Sequence, residues 1–252
     1  MKLKEIIWWK APTLLFSLLL MAFWNLHPNR PKIWVAPTDS RWVLYHRGYK
    51  CVLTSPKSLL CVTLTPFELD TLYLHVKKGE IVVDVGACQG DFTLPAAKRV
   101  GKNGLVIAIE PEPRNLSILR QRVSSLKNVK VLGLAAWKIA GKINFYLSFS
   151  AGEHSLIPKP CKRIVKIEAR PLDQIIRRCR AKKVDFLKID VEGAEFEVLE
   201  GADEVLAMTK KVVVETHVVG RKLTWPEVQS LLERKGFNTY VEDGVIHAWK
   251  PS

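Results

Sequence analysis

Ile81-Val82-Val83-Asp84-Val85-Gly86-Ala87-Cys88-Gln89-Gly90 is the stretch that decides the fold. Residues 81–85 form an unbroken β-favouring run, the pattern of a strand buried on both faces in a parallel sheet. Gly86 and Gly90 bracket a turn that opens a helix, and a glycine without a Cβ lets a ligand come close to the backbone. The first amides of such a helix are unpaired and lie at the positive end of its dipole. The loop therefore suits a nucleotide-like ligand that carries an anionic group.

The spacing Asp84-x-Gly86-x-x-x-Gly90 departs from the dinucleotide fingerprint Gly-x-Gly-x-x-Gly, since position 84 is Asp and position 88 is Cys. An acid there would repel a pyrophosphate, but it would accept hydrogen bonds from a cationic amino acid, directly or through water. Residues 105–109 read as a second strand, and Glu110 at its end is placed to hold two ribose hydroxyls. A ribose joined to a zwitterionic, positively charged tail describes S-adenosylmethionine better than NAD. The cofactor-binding candidates on these two strand ends are Asp84, Gly86, Ala87, Cys88, Gly90, Glu110 and Pro111. The plainer alternative is a bare strand–turn–helix connection.

The chain has 252 residues, 48% hydrophobic and 25% charged, which suits one compact domain with a sizeable core. Its five cysteines lack metal-ligand spacing and read as buried free thiols, although Cys51 and Cys61 could face each other across a hairpin. Nothing points to a disulfide scaffold, so a reducing, cytosolic setting is expected. The net charge of +14 is uneven: residues 1–65 carry +7, residues 159–183 carry +8, and the remainder sums to −1. That pattern favours local contact with anionic lipid or an acidic substrate over a general polyanion coat.

Residues 6–26 are almost wholly apolar, broken by Lys10, with Trp8, Trp9 and Trp24 near the ends. The length is close to the roughly 20 residues that span a bilayer, and tryptophans suit its headgroup layer. A hydrophobic N-terminal helix over 1–27, a membrane anchor or surface-lying helix, is the leading reading. The alternatives are a helix packed on the domain and a cleaved signal, the latter without a small-x-small site. Residues 28–65 read as a linker with short β segments, and 66–252 as the functional domain. Because the inferred cofactor is made in the cytosol, a membrane-associated chain with this domain on the cytoplasmic side is expected.

Beyond residue 66 strands and helices alternate. Thr65-Pro66 caps a helix to about Val76, and another spans 91–100. A helix after Pro113 aligns Leu116, Leu119, Val123 and Leu126 on one face. A third strand is expected at 129–134. Strands at 142–147 and 163–169 flank a loop holding Glu153, His154 and Ser155. A helix from Pro171 carries Arg177, Arg178, Arg180, Lys182 and Lys183. The fourth strand, 184–189, ends at Asp190-Val-Glu192-Gly193 and opens a helix over 194–206; the fifth, 212–215, closes at His217. After a helix from Thr224, the Asp243-Gly244 turn marks a final hairpin. The fold class is α/β: a doubly wound, mostly parallel seven-stranded sheet with a C-terminal antiparallel hairpin.

Val83-Asp-Val-Gly-Ala-Cys-Gln-Gly90, Ile109-Glu-Pro-Glu-Pro113, Arg170-Pro-Leu-Asp-Gln174 and Lys188-Ile-Asp-Val-Glu-Gly-Ala-Glu195 together resemble the FkbM-type S-adenosylmethionine-dependent methyltransferases, over about residues 60–220. The resemblance implies the class I methyltransferase, Rossmann-like fold and O-methylation of a hydroxyl, with acceptors that include polyketides and sugars. It also implies that the Asp84–Gly90 loop and Glu110 hold the cofactor. Many class I enzymes place an acid after the third strand for adenine. Here Leu134-Ala-Ala136 has none, which leaves backbone groups and apolar contact, with Ala135 as the candidate.

Methyl transfer from a sulfonium is an in-line displacement, so the enzyme must align acceptor oxygen, methyl and sulfur and take the hydroxyl proton. Such work happens beyond the carboxyl ends of the strands. The catalytic candidates there are Asp190, as base or acceptor-orienting group, Glu192 in support, and His154 from the inserted loop. Asp190 has other readings, a cap for the following helix or a ligand for the cofactor's amino group. Glu215 and His217 are also delivered to this end, and both His154 and His217 have a plainer reading as solvated or structural residues. Two acids without further ligands give thin support for a divalent ion, so no metal is expected. The expected partner is a hydroxyl-bearing acceptor, small molecule, glycan or lipid-linked, and acidic if the basic segment 159–183 meets it. The rivals are an RNA methyltransferase, a non-catalytic cofactor-binding adaptor tethered to a membrane, and, more distantly, an NAD oxidoreductase.

Overall fold

A computed structural model of the chain describes residues 33–37, 42–46, 49–53 and 76–251, apart from 150, 151, 221 and 243. The chain divides into two units, Met1–Pro66 and Phe67–Ser252. In the first, β1 (Ile33–Pro37), β2 (Trp42–His46) and β3 (Tyr49–Leu53) form an antiparallel sheet in that order. The hydrophobic helix expected over 1–27 and the helix from Thr65-Pro66 fall outside the described residues. No helix among the described residues is long and apolar enough to cross a membrane.

The second unit runs β4 (Ile81–Val85), α1 (Thr93–Val100), β5 (Leu105–Ile109), α2 (Pro113–Val123), β6 (Val129–Leu132), β7 (Ala135–Ala136), β8 (Gly141–Leu147), β9 (Arg163–Arg170) and α3 (Leu172–Cys179). It continues with β10 (Val184–Ile189), α4 (Glu195–Glu200), α5 (Asp203–Met208), β11 (Thr209–Glu215), β12 (Val218–Val219), β13 (Lys222–Leu223), α6 (Trp225–Arg234), β14 (Asn238–Glu242) and β15 (Val245–Trp249). The main sheet has seven strands in the order β14-β15-β11-β10-β4-β5-β6. Neighbours are parallel except where β15 pairs with β11 and β14. The doubly wound sheet with its closing hairpin is therefore present. A second sheet, β7-β9-β8, carries the inserted strands.

Alternate residues of the central strands face opposite sides. Val83, Val85, Ile107, Ile109, Leu187 and Ile189 join one core with apolar residues of α3, α4, α5 and α6. On the other face Ala108 packs with Leu119 and Val123 of α2. That face also carries Asp84 and Lys188, which stand opposite each other across β4 and β10 and are both fully buried. Lys188 Nζ lies 3.6 Å from Asp84 Oδ1, 3.3 Å from Asp190 Oδ2 and 5.7 Å from the centre of the Phe92 ring. Thr93, which opens α1, donates its hydroxyl to Asp84 Oδ2 at 2.5 Å.

Several boundaries differ from the sequence reading. The expected helix over 194–206 is two helices, broken where Ala202 leaves helical geometry at φ −131°, beside Gly201, at which a Cβ would be 2.5 Å from the Trp137 carbonyl oxygen. Asp173 then caps α5, its carboxylate accepting the Glu204 and Val205 amides at 3.1 and 2.8 Å. The third strand stops at Leu132, and Ala135 and Ala136 pair with β9 instead. Helix α3 ends at Cys179 with Arg180 left-handed at φ 56°, so Lys182 and Lys183 lie beyond it.

Removing one member of a buried ion pair leaves the other uncompensated. Lys188→Met is expected to lower unfolding free energy by about 3–5 kcal/mol in urea titrations, and adding Asp84→Leu should recover most of that loss. A neutral Lys188→Met would contradict the pairing. Gly86 sits at φ 81°, where a Cβ would lie 1.7 Å from the Asp190 carbonyl oxygen. Gly86→Ala should therefore cost about 2–4 kcal/mol in the same assay.

Candidate active site

The register aligns Val85 with Ile109 and with Ile189, and Ile189 with Val214. The next residues, Gly86, Glu110, Asp190 and Glu215, therefore leave the sheet side by side. They do so where the strand order reverses, the place at which open α/β sheets bind ligands.

The glycine loop is held from both sides. The Gly86 and Ala87 amides donate to the Ile109 carbonyl at 3.1 and 3.0 Å, and the Gly90 amide donates to that of Ala87 at 2.8 Å. Cys88, left-handed at φ 48°, turns its amide onto Glu110 Oε2 at 2.8 Å. The Glu112 amide, just past Pro111, donates to Glu110 Oε1 at 2.8 Å. Glu112 itself caps α2, accepting the Asn115 amide at 2.6 Å. Arg122 ties the loop to α2 through the Gln89 carbonyl and Asp91. Burial pushes the Glu110 carboxyl up to about 7, against the pull of its two amide donors.

These residues fit S-adenosylmethionine. Each Glu110 oxygen has accepted one amide and keeps a further lone pair, and a ribose offers two hydroxyl donors. Glu110 and the Gly86–Gly90 loop could thus hold the nucleoside. Asp84 lies deeper than its reading as a ligand for a cationic tail implied. It is fully buried, and its oxygens face Thr93 and Lys188. Burial raises its pKa, with Lys188 and Thr93 acting the other way. Ala135 is buried in β7, outside the seven-stranded sheet.

Beyond β10, Asp190 and Glu192 meet His217, which follows β11. His217 Nε2 lies 3.9 Å from Asp190 Oδ1 and 3.5 Å from Glu192 Oε1. Its Nδ1 is 2.9 Å from Oε1 of Glu195, a fully buried acid at the start of α4 that also accepts the Gly193 amide at 2.8 Å. Thr224 clamps the His217 backbone, its hydroxyl exchanging hydrogen bonds at 3.0 Å with both the amide and the carbonyl. Burial alone would lower the His217 pKa; the hydrogen bond and charge of Glu195, with the charges of Glu192 and Asp190, drive it up to about 9. Burial raises Glu192, opposed by His217 and Lys159. Burial and the neighbouring Asp190 charge bring Glu215 up to about 7.

The inserted loop docks on this cluster. Ser155, fully buried, donates its hydroxyl to the Glu192 carbonyl at 2.7 Å, and Lys159 Nζ lies 3.4 Å from Glu192 Oε2. His154 is not part of the cluster: its Nδ1 accepts the Ser148 amide at 3.0 Å, its ring stands edge-on to Phe145, and burial lowers its pKa. The sequence reading names Lys188 and Glu195 in a motif, Ser155 in the inserted loop and Thr224 at a helix start, and gives none of them a role in the site. One signal was available for Lys188, a charge inside a strand otherwise buried on both faces.

Residues 84–239, more than half of the chain, match the methyltransferase FkbM domain. Over 200 residues the chain is 29% identical to methyltransferase sdnD of Sordaria araneosa, covering 65% of this chain and 76% of that protein. It is 29% identical over 207 residues to methyltransferase 1 of Beauveria bassiana, covering 72% and 78%. It is 22% identical over 156 residues to 2-O-methyltransferase NoeI of Sinorhizobium fredii, covering 55% and 64%. With the sheet order and the paired strand ends already in place, the chain belongs to the FkbM methyltransferase family and is an S-adenosylmethionine-dependent enzyme of the class I fold.

Proposed function

We propose that this methyltransferase acts on a hydroxyl oxygen of a small-molecule, glycan or lipid-linked acceptor bound over Asp190, Glu192 and His217. The observation that carries the reading is placement: the three groups leave β10 and β11 beside the glycine loop, with Gly86 packed directly on the Asp190 carbonyl. When bound, S-adenosylmethionine supplies an activated methyl group. The chain's residues have to align the acceptor oxygen and receive its proton. Lys188 holds one oxygen of Asp190, leaving Oδ1 to orient the hydroxyl and take its proton as the oxygen gains the methyl. Glu192, pinned by Lys159 and by Ser155 at its carbonyl, supports Asp190 as a second carboxylate.

The printed activity of NoeI, a 2-O-methyltransferase, supports oxygen as the atom methylated. The basic segment 159–183 supports an acidic or lipid-linked acceptor, and the apolar run at 6–26 supports a membrane-associated chain with its catalytic domain on the cytoplasmic side. Within that segment Arg170 pairs with Glu168, Arg177 with Glu204 and Lys183 with Asp185. These pairings neutralise three of the segment's cations towards RNA and towards an acidic acceptor alike, so the label-uptake experiment separates the two. Membranes incubated with the enzyme and radiolabelled S-adenosylmethionine should take up label in a lipid or glycan fraction; label confined to RNA would contradict this acceptor class.

Asp190→Ala should reduce kcat by about 100- to 10,000-fold while S-adenosylhomocysteine still binds by calorimetry. Full activity in that variant would remove Asp190 from the chemistry. A raised carboxyl makes a signed demand on the fold: the Glu110 contribution to stability is present below its ordinary value of 4.5 and is lost as pH rises through about 7. Glu110→Gln should therefore flatten the fall in melting temperature across that window. It should also abolish the rise in S-adenosylhomocysteine affinity as Glu110 ionises. Parallel pH profiles for variant and wild type would contradict both points.

A further inference from the structure

Three donor atoms face one another at the carboxyl ends of β10 and β11: a carboxylate oxygen each from Asp190 and Glu192 and a ring nitrogen of His217, all within 4.8 Å of one another. His217 Nε2 stands 3.5 Å from Glu192 Oε1 and 3.9 Å from Asp190 Oδ1, longer than ordinary N–H···O hydrogen bonds. Two ligands each about 2.1 Å from one ion are about 3.0 Å apart at a right angle and about 4.2 Å apart across it. Both observed separations fall inside that interval.

The far side of every donor is already anchored. Asp190 Oδ2 is held by Lys188 Nζ at 3.3 Å, Glu192 Oε2 by Lys159 Nζ at 3.4 Å, and His217 Nδ1 by Glu195 Oε1 at 2.9 Å. The inner atoms are thereby turned towards a common point. Glu195 is the independent observation. It stands outside the cluster, it is fully buried, and its Oε2 has no hydrogen-bond partner. A carboxylate behind an imidazole fixes the ring and its tautomer and makes the opposite nitrogen a better metal ligand. Burying an acid with one oxygen unsatisfied is costly in a protein interior; the proton on His217 is the charge that faces Glu195 without metal, and an ion on Nε2 would take that proton's place.

We propose that Asp190, Glu192 and His217 form a site for one divalent cation of the first-row transition class, such as Mn2+ or Zn2+. An imidazole beside two carboxylate oxygens suits these ions better than Mg2+ or Ca2+, which favour all-oxygen surroundings. Three protein ligands leave positions open for solvent or for an acceptor oxygen. The inference rests on the hydroxyl-transfer reading and deepens it: with the ion bound, Asp190 Oδ1 orients the acceptor oxygen through the metal instead of taking its proton directly, and the proton of the ion-acidified hydroxyl leaves to solvent at an open position.

The test is a titration of Mn2+ into the full chain, stripped of metal with chelator, followed by the electron paramagnetic resonance of free Mn2+. One ion per chain should bind. Asp190→Asn and Glu192→Gln should each weaken binding more than tenfold, and Glu195→Gln, which touches no ion, by about 10- to 100-fold. Circular dichroism melts identify any variant that fails to fold, and Asp190 and Glu192 are both part-exposed positions where the substitutions keep shape. No uptake of Mn2+ or Zn2+ by the wild type, or uptake unaltered by all three substitutions, overturns the site. Methyl transfer that persists in EDTA without metal uptake overturns the cation and leaves hydroxyl transfer standing. Metal uptake lost in the three variants, with no transfer to any alcohol, supports the cation and removes the hydroxyl reading.

Discussion

A fully buried lysine ammonium and aspartate face each other on one side of the two central strands, and the position of the site follows from that pair. Asp84 and Lys188 stand in register across β4 and β10. Buried charges persist only when paired: Oδ2 of Asp84 accepts the Thr93 hydroxyl, and Oδ1, without a hydrogen bond, is met by the Lys188 charge at 3.6 Å. Thr93 opens α1, so the acid also steadies the helix that follows the glycine loop. Lys188 reaches past Asp84 to Asp190. One ammonium thus governs both the floor of the cofactor loop and the first residue beyond β10. A slip of β10 by one residue would turn Lys188 into the opposite, aliphatic face.

Flush strand ends then do the rest. Because β4, β5, β10 and β11 end in register, Glu110, Asp190 and Glu215 lie along one edge, with Glu192 and Glu195 close behind. The carboxylates are met by Lys188, Lys159 and His217, and the turn that carries Glu192 is left-handed at φ 56°. Thr224 and Ser155 fix His217 and Glu192 through their backbones, so the polar groups are set before any ligand arrives. Such pre-positioning is what makes a charged site useful at the moment of reaction.

The sequence made the alternating strands legible, since runs such as 81–85, 105–109 and 184–189 are rich in β-branched and large apolar residues, broken only by Asp84, Asp185 and Lys188. Glu110 and Asp190 were legible for the same reason: each is the first polar residue after a buried strand. Other features needed coordinates. The Glu195–His217 contact joins residues 22 apart through a turn whose direction no periodicity reveals. The need for glycine at 201 comes from the Trp137 carbonyl, far away in sequence. Asp173, visible as part of the Arg170-Pro-Leu-Asp motif, serves to cap α5, a task that only tertiary packing discloses. Asp84 was legible as an acid at a strand tip, but its depth was not, because its partner Lys188 sits 104 residues later on the neighbouring strand.

Hydrogen–deuterium exchange of the full chain with and without S-adenosylhomocysteine addresses the coupling of the two strand ends most directly. Binding should protect the amides of residues 86–92 together with those of residues 190–193, although the second segment belongs to a different strand and turn. Protection of the glycine loop alone, or of the C-terminal hairpin in place of both, would contradict a single site built across β4 and β10.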